Sequence, residues 1–376
     1  MLIFVDWYLP GYKAGGPIQS CANLVAQLKQ EYDFSIVCRD SDFTETRPYP
    51  GIKSDRWTVI EKGVRIWYIS VSELKGTTIK KHLNHNYDVL YLNSLFSRYF
   101  TILPLRLNKK IKKVVLAPRG MLGSGALGIK PLKKKLFLAF AKITGLYSGI
   151  TWQASTVQEE AEIRAVFGTS PHVVTALNLP PLKKLEFHSR KKESGILRLF
   201  FLSRISIKKN LLTALDYLSQ LKSDETVSLD IIGAVEDKPY WELCLQKINE
   251  MKKSKPNVSI NVVGPIENKN LQLKLIDYHA LILPTQHENF GHVILEALAC
   301  GCLVIISDQT PWRNLRERKI GWDLSLSEPE KFVSAIEDLV AMKEKEFNEL
   351  SLNAFKEAEK FYNNKELLDQ NRRLFG

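Results

Sequence analysis

The chain has 376 residues, 45% apolar and 25% charged, a globular composition long enough for two ordinary domains, each with a sizeable core. No apolar run reaches the roughly 18 to 20 residues that span a bilayer, and residues 1–5 lack the basic start and cleavage site of a signal peptide, so they read as a first strand. The five cysteines, Cys21, Cys38, Cys244, Cys300 and Cys302, are odd in number and lack metal spacing, the pattern of reduced cytosolic thiols.

In chain order, Ile3-Phe4-Val5 is followed by a loop in which Ala14-Gly15-Gly16-Pro17 leads into residues 18–28, whose apolar positions recur at helical spacing. Gly15 and Gly16 remove Cβ atoms where a backbone would approach a phosphate, although a plain connecting loop fits the same residues. There is no GxGxxG, which argues against a nicotinamide-type dinucleotide site. Residues 34–38, 64–70, 89–93 and 114–117 read as further strands. Asp40-Ser41-Asp42 is a DxD, a metal-ligand pattern common by chance, and reads as a surface loop; His82, His85 and His172 have no metal-like partners at useful spacing.

The net charge of +12 is unevenly placed: residues 71–150 carry fifteen Lys and Arg against Glu73 and Asp88, or +13, which leaves the rest at −1. Such a region attracts anions, whether acidic lipid headgroups, phosphorylated acceptors or nucleic acid, and solvated charge is the bland alternative. Lys133-Lys134-Lys135 followed by the apolar residues 136–141 favours a helix lying against an anionic membrane surface. A nucleic-acid binder would need a recognisable module, and none is present.

Residues 152–155 read as a strand and 158–167 as a helix; Asn178-Leu179-Pro180-Pro181 and the charged run after it break all periodicity and mark a linker, residues 179–194. A second domain starts at Gly195. Residues 197–202 form its first strand, after which Arg204 and Lys209 fall at the C-terminal end of a parallel strand, where such sheets bind ligands, or are surface charges. Residues 229–233 and 258–263 continue the alternation, residues 334–339 are helical, and 355–375 form a final helical region.

The most informative stretch is 280–312. Leu281-Ile282-Leu283 and Leu303-Val304-Ile305-Ile306 read as strands buried on both faces. Residues 291–299 between them are apolar almost all round and predict a sandwiched helix with Glu296 in its middle. An unpartnered carboxylate there would cost several kcal/mol, so a ligand hydroxyl or a structural partner must meet it. Glu288 precedes the same helix by a distance that, along a helix, is about 12 Å. That exceeds the roughly 5 to 9.5 Å of a glycosidase pair and suits two ends of one elongated polar ligand. At Asn289-Phe290-Gly291 the first helical N–H groups favour a phosphate, and Gly291 permits close approach. A sugar nucleotide has this layout; a buried, backbone-capped acid with a loop acid in water fits the spacing as well.

The segment ENFGHVILEALACGCLVI resembles the acidic signature of the retaining family-4 glycosyltransferases, known as glycosyl transferases group 1. Pro284, Glu288, Phe290, Gly291, Glu296, Ala297, Ala299, Gly301 and Val304 carry the match, while Leu303 stands where the family commonly has proline. The starting PGYKAGGP and the PRGML at 118–122 resemble a subset that builds bacterial capsule, lipopolysaccharide or exopolysaccharide. The resemblance implies an α/β chain of two Rossmann-like domains facing across a cleft, the glycosyltransferase B fold. The acceptor-side domain would span 1–178 and the nucleotide-sugar domain 195–354, with a helical region 355–376 crossing back.

By the same resemblance Glu296 would hold the ribose hydroxyls and Glu288 the transferred sugar, with Asn289, Phe290 and Gly291 offering amides to the sugar and diphosphate. Arg204 and Lys209 match an R-x4-K pair that neutralises the departing diphosphate, Gly15 and Gly16 face the diphosphate and acceptor, and Ile266 lies near the base. Arg119 occupies the place of a sugar-contacting histidine; it reads as a phosphate or sugar ligand, or as half of a structural ion pair. The implied reaction moves a hexosyl unit, with retention, from a nucleotide diphosphate sugar to a lipid-linked or polysaccharide acceptor. It needs no metal or other cofactor, takes place at the inner face of the plasma membrane, and involves no nucleic acid. A sugar-nucleotide epimerase of the same architecture and a non-catalytic partner subunit are the alternatives.

Overall fold

The computed structural model describes residues 1–128, 131–222 and 225–376; Lys130, counted in the basic region, lies outside the described residues. Two units are distinct: Met1–Leu182 with Asn364–Gly376, and Lys183–Asn363. Both are α/β with a mainly parallel sheet, the Rossmann-like arrangement.

In the first unit the strands are β1 (Leu2–Val5), β2 (Phe34–Arg39), β3 (Trp57–Glu61), β4 (Val64–Ile69), β5 (Val89–Asn93), β6 (Lys113–Ala117), β7 (Thr151–Ala154) and β8 (His172–Thr175). The sheet runs β3-β4-β2-β1-β5-β6-β7-β8, antiparallel only between β3 and β4. Every residue of β1 and β5 is buried, as continuous apolar runs require when helices cover both faces. The strand order reverses between these two, so the loops that follow them meet at a topological switch point. There Ser97 Oγ donates to Asp6 Oδ1 at 2.9 Å.

Asp40-Ser41-Asp42, expected as a surface loop, is buried instead. The loop after β2 folds over the loop after β1, and its carboxylates are taken up by protein donors. Asp42 Oδ2 accepts the backbone N–H of Tyr12 at 2.9 Å and of Lys13 at 3.2 Å, Asp42 Oδ1 that of Phe43 at 2.7 Å, and Asp40 Oδ2 the Ser54 hydroxyl at 2.7 Å.

The helix Pro131–Ile143 has two apolar faces. Leu138 and Ala141 are buried, while Leu132, Leu136, Phe140 and Ile143 are between 57% and 87% exposed. Spacings of four, four and three place these four on one stripe, and Lys133, Lys135 and Lys142 are exposed on the same helix.

The expected final helical region is two helices, Glu344–Tyr362 and Lys365–Phe375, and only the second belongs to the first unit. Asn371 Nδ2 donates to Leu177 O at 2.9 Å, Arg372 Nη2 reaches Glu31 Oε1 at 2.6 Å, and the Phe375 ring meets Tyr91 edge-on with centroids 5.1 Å apart.

In the second unit β9 (Ile196–Leu202), β10 (Thr226–Ile232), β11 (Val258–Gly264), β12 (Ala280–Leu283), β13 (Leu303–Ser307) and β14 (Gly321–Leu324) form a sheet ordered β11-β10-β9-β12-β13-β14, with every pairing parallel. Its switch point lies between β9 and β12. The expected linker 179–194 is not a free tether. Residues 183–194 belong to this unit, and Arg190 and Lys192 are buried because backbone carbonyls gather round them: Arg190 Nη1 donates to Gly301 O at 3.0 Å, and Lys192 Nζ to Val340 O at 3.1 Å and Met342 O at 3.2 Å.

Candidate active site

The switch point of the second unit brings together the loops that leave β9 and β12. The chain after β10 passes so close to the first of them that a Cβ on Gly233 would lie 1.9 Å from Ser203 O, which only glycine avoids. The two loops are then stitched together: Gln286 N–H donates to Lys208 O at 2.8 Å and Thr285 Oγ1 to the same oxygen at 3.1 Å. Asn210, in the left-handed region at φ 62°, donates Nδ2 to Pro284 O at 2.9 Å. This stitching carries Lys209 to Glu288, where Lys209 Nζ pairs with Glu288 Oε2. Arg204 Nη1, from the same β9 loop, donates to Glu236 Oε1 at 2.9 Å.

The two glutamates differ in charge state. Burial acts to raise Glu288, yet the charges of Lys209 and Lys208 and the Lys209 hydrogen bond outweigh it and bring its carboxyl down to about 2, so it is ionised throughout the physiological range. Burial also acts on Glu296, with only Lys183 opposing it, and pushes its carboxyl up to about 7. No protein group donates a hydrogen bond to the Glu296 carboxylate among the described residues, so the structural partner that would make it bland is not there. His287, beside Glu288, is held down at about 4 by burial, helped by the charge of Lys208.

Glu296 sits in the helix His292–Ala299, which Gly291 opens from a left-handed conformation at φ 81°. A Cβ on Gly291 would fall 2.8 Å from Ile294 Cδ1 and 3.1 Å from Trp312 Nε1, and Trp312 Nε1 donates to Phe290 O at 2.7 Å. No side chain caps this helix start and no acid lies in its first turn, so the positive end of its dipole favours an anion. Arg190 meets the carbonyls of Cys300 and Gly301 at the other end, a cation where the dipole favours one.

As expected, Glu288 precedes the helix, which begins only at His292, so the rise along a helix does not measure its separation from Glu296. The Phe290 ring is buried, with ring centroids 4.7 Å from His292 and 5.6 Å from Phe361, so this residue can offer a ligand only its backbone. Asn289 is partly exposed, and Ile266 is half-buried against the core of the second unit.

Gly15, Gly16 and Arg119 lie in the first unit. Gly15 is at φ 71° with open space where a Cβ would stand, and Gly16 begins the helix Gly16–Leu28, again without a capping side chain or an acid in its first turn. Arg119 is at φ 55°. Among the described residues its guanidinium makes no ion pair: Nε donates to Asn93 Oδ1 at 3.1 Å, Nη2 to the same oxygen at 2.6 Å and to Tyr91 Oη at 2.7 Å, and Nη1 to Asn178 Oδ1. These partners are all neutral. The sequence reading missed Lys208, Glu236, Asn210 and Trp312; Lys208 and Asn210 flank the R-x4-K lysine and were open to notice. Among the described residues no three His, Cys, Asp or Glu side chains gather as a metal site would.

Residues 183–359 match the family described as Glycosyl transferases group 1. A curated relative, an uncharacterized 41.2 kDa protein in the cps region of Klebsiella pneumoniae, is 23% identical over 251 residues, 64% of this chain; the match spans 65% of the relative's own length. Among solved structures, the fold is similar to that of WaaG, a glycosyltransferase involved in lipopolysaccharide biosynthesis, with TM-score 0.68 and 12% identity over 100% of this chain and 98% of the other. Anabaena Alr3699/HepE in complex with UDP-glucose gives TM-score 0.67 and 15% identity over 99% and 97%. At these identities the likeness establishes the fold, that of the glycosyltransferase B group.

Proposed function

We propose that this chain, whose second unit is a domain of the Glycosyl transferases group 1 family, transfers a hexosyl unit from a nucleoside diphosphate sugar, with retention, to a lipid-linked or polysaccharide acceptor. The observation that carries the reading is Glu296: a carboxylate set in an apolar helix, with no donor among the described residues, in the helix that begins beside the Lys209–Glu288 pair. A half-buried acid in that condition is stabilised when ligand hydroxyls donate to it, and a ribose supplies two. UDP-glucose in a neighbour of the same fold supports a nucleotide sugar as the ligand.

The chemistry assigned to each group follows from its charge. The Lys209 ammonium has three N–H donors and Glu288 takes one, which leaves donors for a phosphate oxygen. Arg204 adds a second cation at the same strand end. As the glycosidic bond breaks, negative charge builds on the diphosphate, and preorganised cations and helix N–H groups stabilise it without reorganising. Glu288, ionised and fixed by Lys209, accepts from sugar hydroxyls. No carboxylate is assigned as a nucleophile; retention is attributed to front-face attack assisted by the leaving phosphate.

The donor is tested by incubating the purified protein with a panel of UDP-, GDP-, ADP- and dTDP-sugars and measuring the released nucleoside diphosphate. Slow hydrolysis of one donor is expected; epimerised sugar nucleotide instead of free sugar would identify an epimerase. Unchanged transfer in membrane extracts carrying Glu296→Gln would make the chain a non-catalytic subunit.

The acceptor reading extends to a membrane surface. Among the described residues no helix is long and apolar enough to cross a bilayer, but the exposed stripe of Pro131–Ile143, bordered by lysines, suits one that lies in the headgroup layer at the inner face of the plasma membrane. We expect the wild type to sediment with vesicles containing phosphatidylglycerol and a Leu136→Ser/Phe140→Ser variant to lose at least about tenfold in affinity, with little change in stability because both side chains are already exposed. Equal binding by the two proteins would remove the helix from the membrane reading.

A further inference from the structure

We propose that Asp42 is a positioning residue that fixes the glycine loop between β1 and the helix Gly16–Leu28. The inference rests on the proposed transfer from a nucleoside diphosphate sugar and on the resemblance by which Gly15 and Gly16 face the diphosphate. Asp42 is buried, at 3% exposure, and among the described residues its carboxylate accepts hydrogen bonds from backbone N–H groups alone: Tyr12 at 2.9 Å, Lys13 at 3.2 Å and Phe43 at 2.7 Å. Hydrogen bonds to an ionised oxygen are roughly twice as strong as neutral ones, and a buried carboxylate cannot give up its donors to water. Two of the three donors belong to the loop after β1.

The grip reaches the glycines through one residue. Tyr12 is held at its N–H by Asp42, and its carbonyl accepts the Gly15 N–H at 3.1 Å. Gly15 in turn is left-handed, with nothing over its missing Cβ. Neighbouring contacts clamp the same loop: Tyr68 Oη donates to Leu9 O at 2.8 Å, Lys13 pairs with Glu45, and a Cβ on Gly11 would lie 2.3 Å from Tyr49 Oη and 3.1 Å from Asp42 Oδ1. Gly11 is therefore a glycine because the loop carrying Asp42 is packed against it. Asp40 provides the contrast: equally buried, its carboxylate accepts from Ser54 and from no residue of this loop.

The test compares Asp42→Ala, Asp42→Asn and Asp40→Asn in the full chain by two readouts. In hydrogen exchange, Asp42→Ala should speed exchange at residues 11–16 at least about tenfold, while Asp40→Asn leaves it unchanged. In hydrolysis of the nucleotide sugar that the wild type turns over, Asp42→Ala should lower kcat at least about tenfold, with the KM for donor within about threefold. Asp42→Asn, which keeps one oxygen for the Tyr12 and Lys13 N–H groups, should fall between. Unchanged loop exchange in Asp42→Ala, or an equal loss of kcat in Asp40→Asn, overturns the proposal. Faster exchange with unchanged kcat also overturns it, since the loop would be held by Asp42 without serving the donor. A wild type that hydrolyses no nucleotide sugar, with the exchange response intact, points instead to failure of the glycosyltransferase reading.

Discussion

Glu296→Gln is expected to lower turnover sharply and to make the protein more stable. The carboxyl is pushed up to about 7 by burial, with only the Lys183 charge opposing, so the folded chain holds a proton there that the unfolded chain releases near its ordinary value of 4.5. Across that window the folded state binds more protons, and stability falls as pH rises; above the folded value the full penalty of an ionised, unpartnered acid is present. Glutamine carries no such penalty. At pH 8 the variant should gain on the order of 1 to 3 kcal/mol, allowing for the part of the carboxylate that water reaches, and the gain should vanish below about pH 4.5. Meanwhile the ligand hydroxyls lose a charged acceptor, and turnover should drop about 100-fold or more. Thermal denaturation across pH 4 to 8, together with donor hydrolysis, checks both halves. A destabilised Gln variant, or one with full activity, would contradict the assignment.

Lys209→Ala should be the most damaging single change to the site. It removes a cation from the diphosphate and strips Glu288 of its main partner, so kcat is expected to fall by about 100- to 1,000-fold. Stability at pH 7 should drop by about 2 kcal/mol, less than for a fully buried pair because water reaches part of both side chains. The pH signature is specific. Glu288 is depressed to about 2, so its contribution is complete above the unfolded value and is lost as pH falls from about 4.5 toward 2. Lys209→Ala should flatten that acid limb, because burial then acts on Glu288 with its strongest opponent gone. Adding Glu288→Gln should restore much of the stability and none of the turnover, a double-variant result that separates holding the loop from serving the ligand.

Much of this was legible in the amino acids because the site lies on the most strongly patterned part of the chain. Continuous apolar runs mark strands covered on both faces, and the acids and cations that interrupt them at strand ends stand out. What escaped did so for physical reasons. β3 pairs antiparallel at a sheet edge with its last residues exposed, and β8 buries none of its four residues, so neither has a continuous apolar run to announce it. The run 183–194 reads as solvated because lysines and arginines usually are; Arg190 and Lys192 are buried because carbonyls, which no side-chain pattern reveals, collect around them. Asp42 failed for the same reason, its partners being amides twenty-nine and thirty residues earlier in the chain. For Arg119, an ion pair was the natural alternative to a ligand, yet its partners are two asparagines and a tyrosine, a choice made by tertiary packing.

Asn364–Gly376 completes the first unit, yet it is synthesised after the whole of the second. On the ribosome, residues 1–182 must therefore wait with the seat for Leu367, Leu374 and Phe375 uncovered, including the ring of Tyr91 that Phe375 later meets. The half made first is the half finished last, and throughout that interval apolar side chains that the last helix later covers stay exposed to non-native contacts.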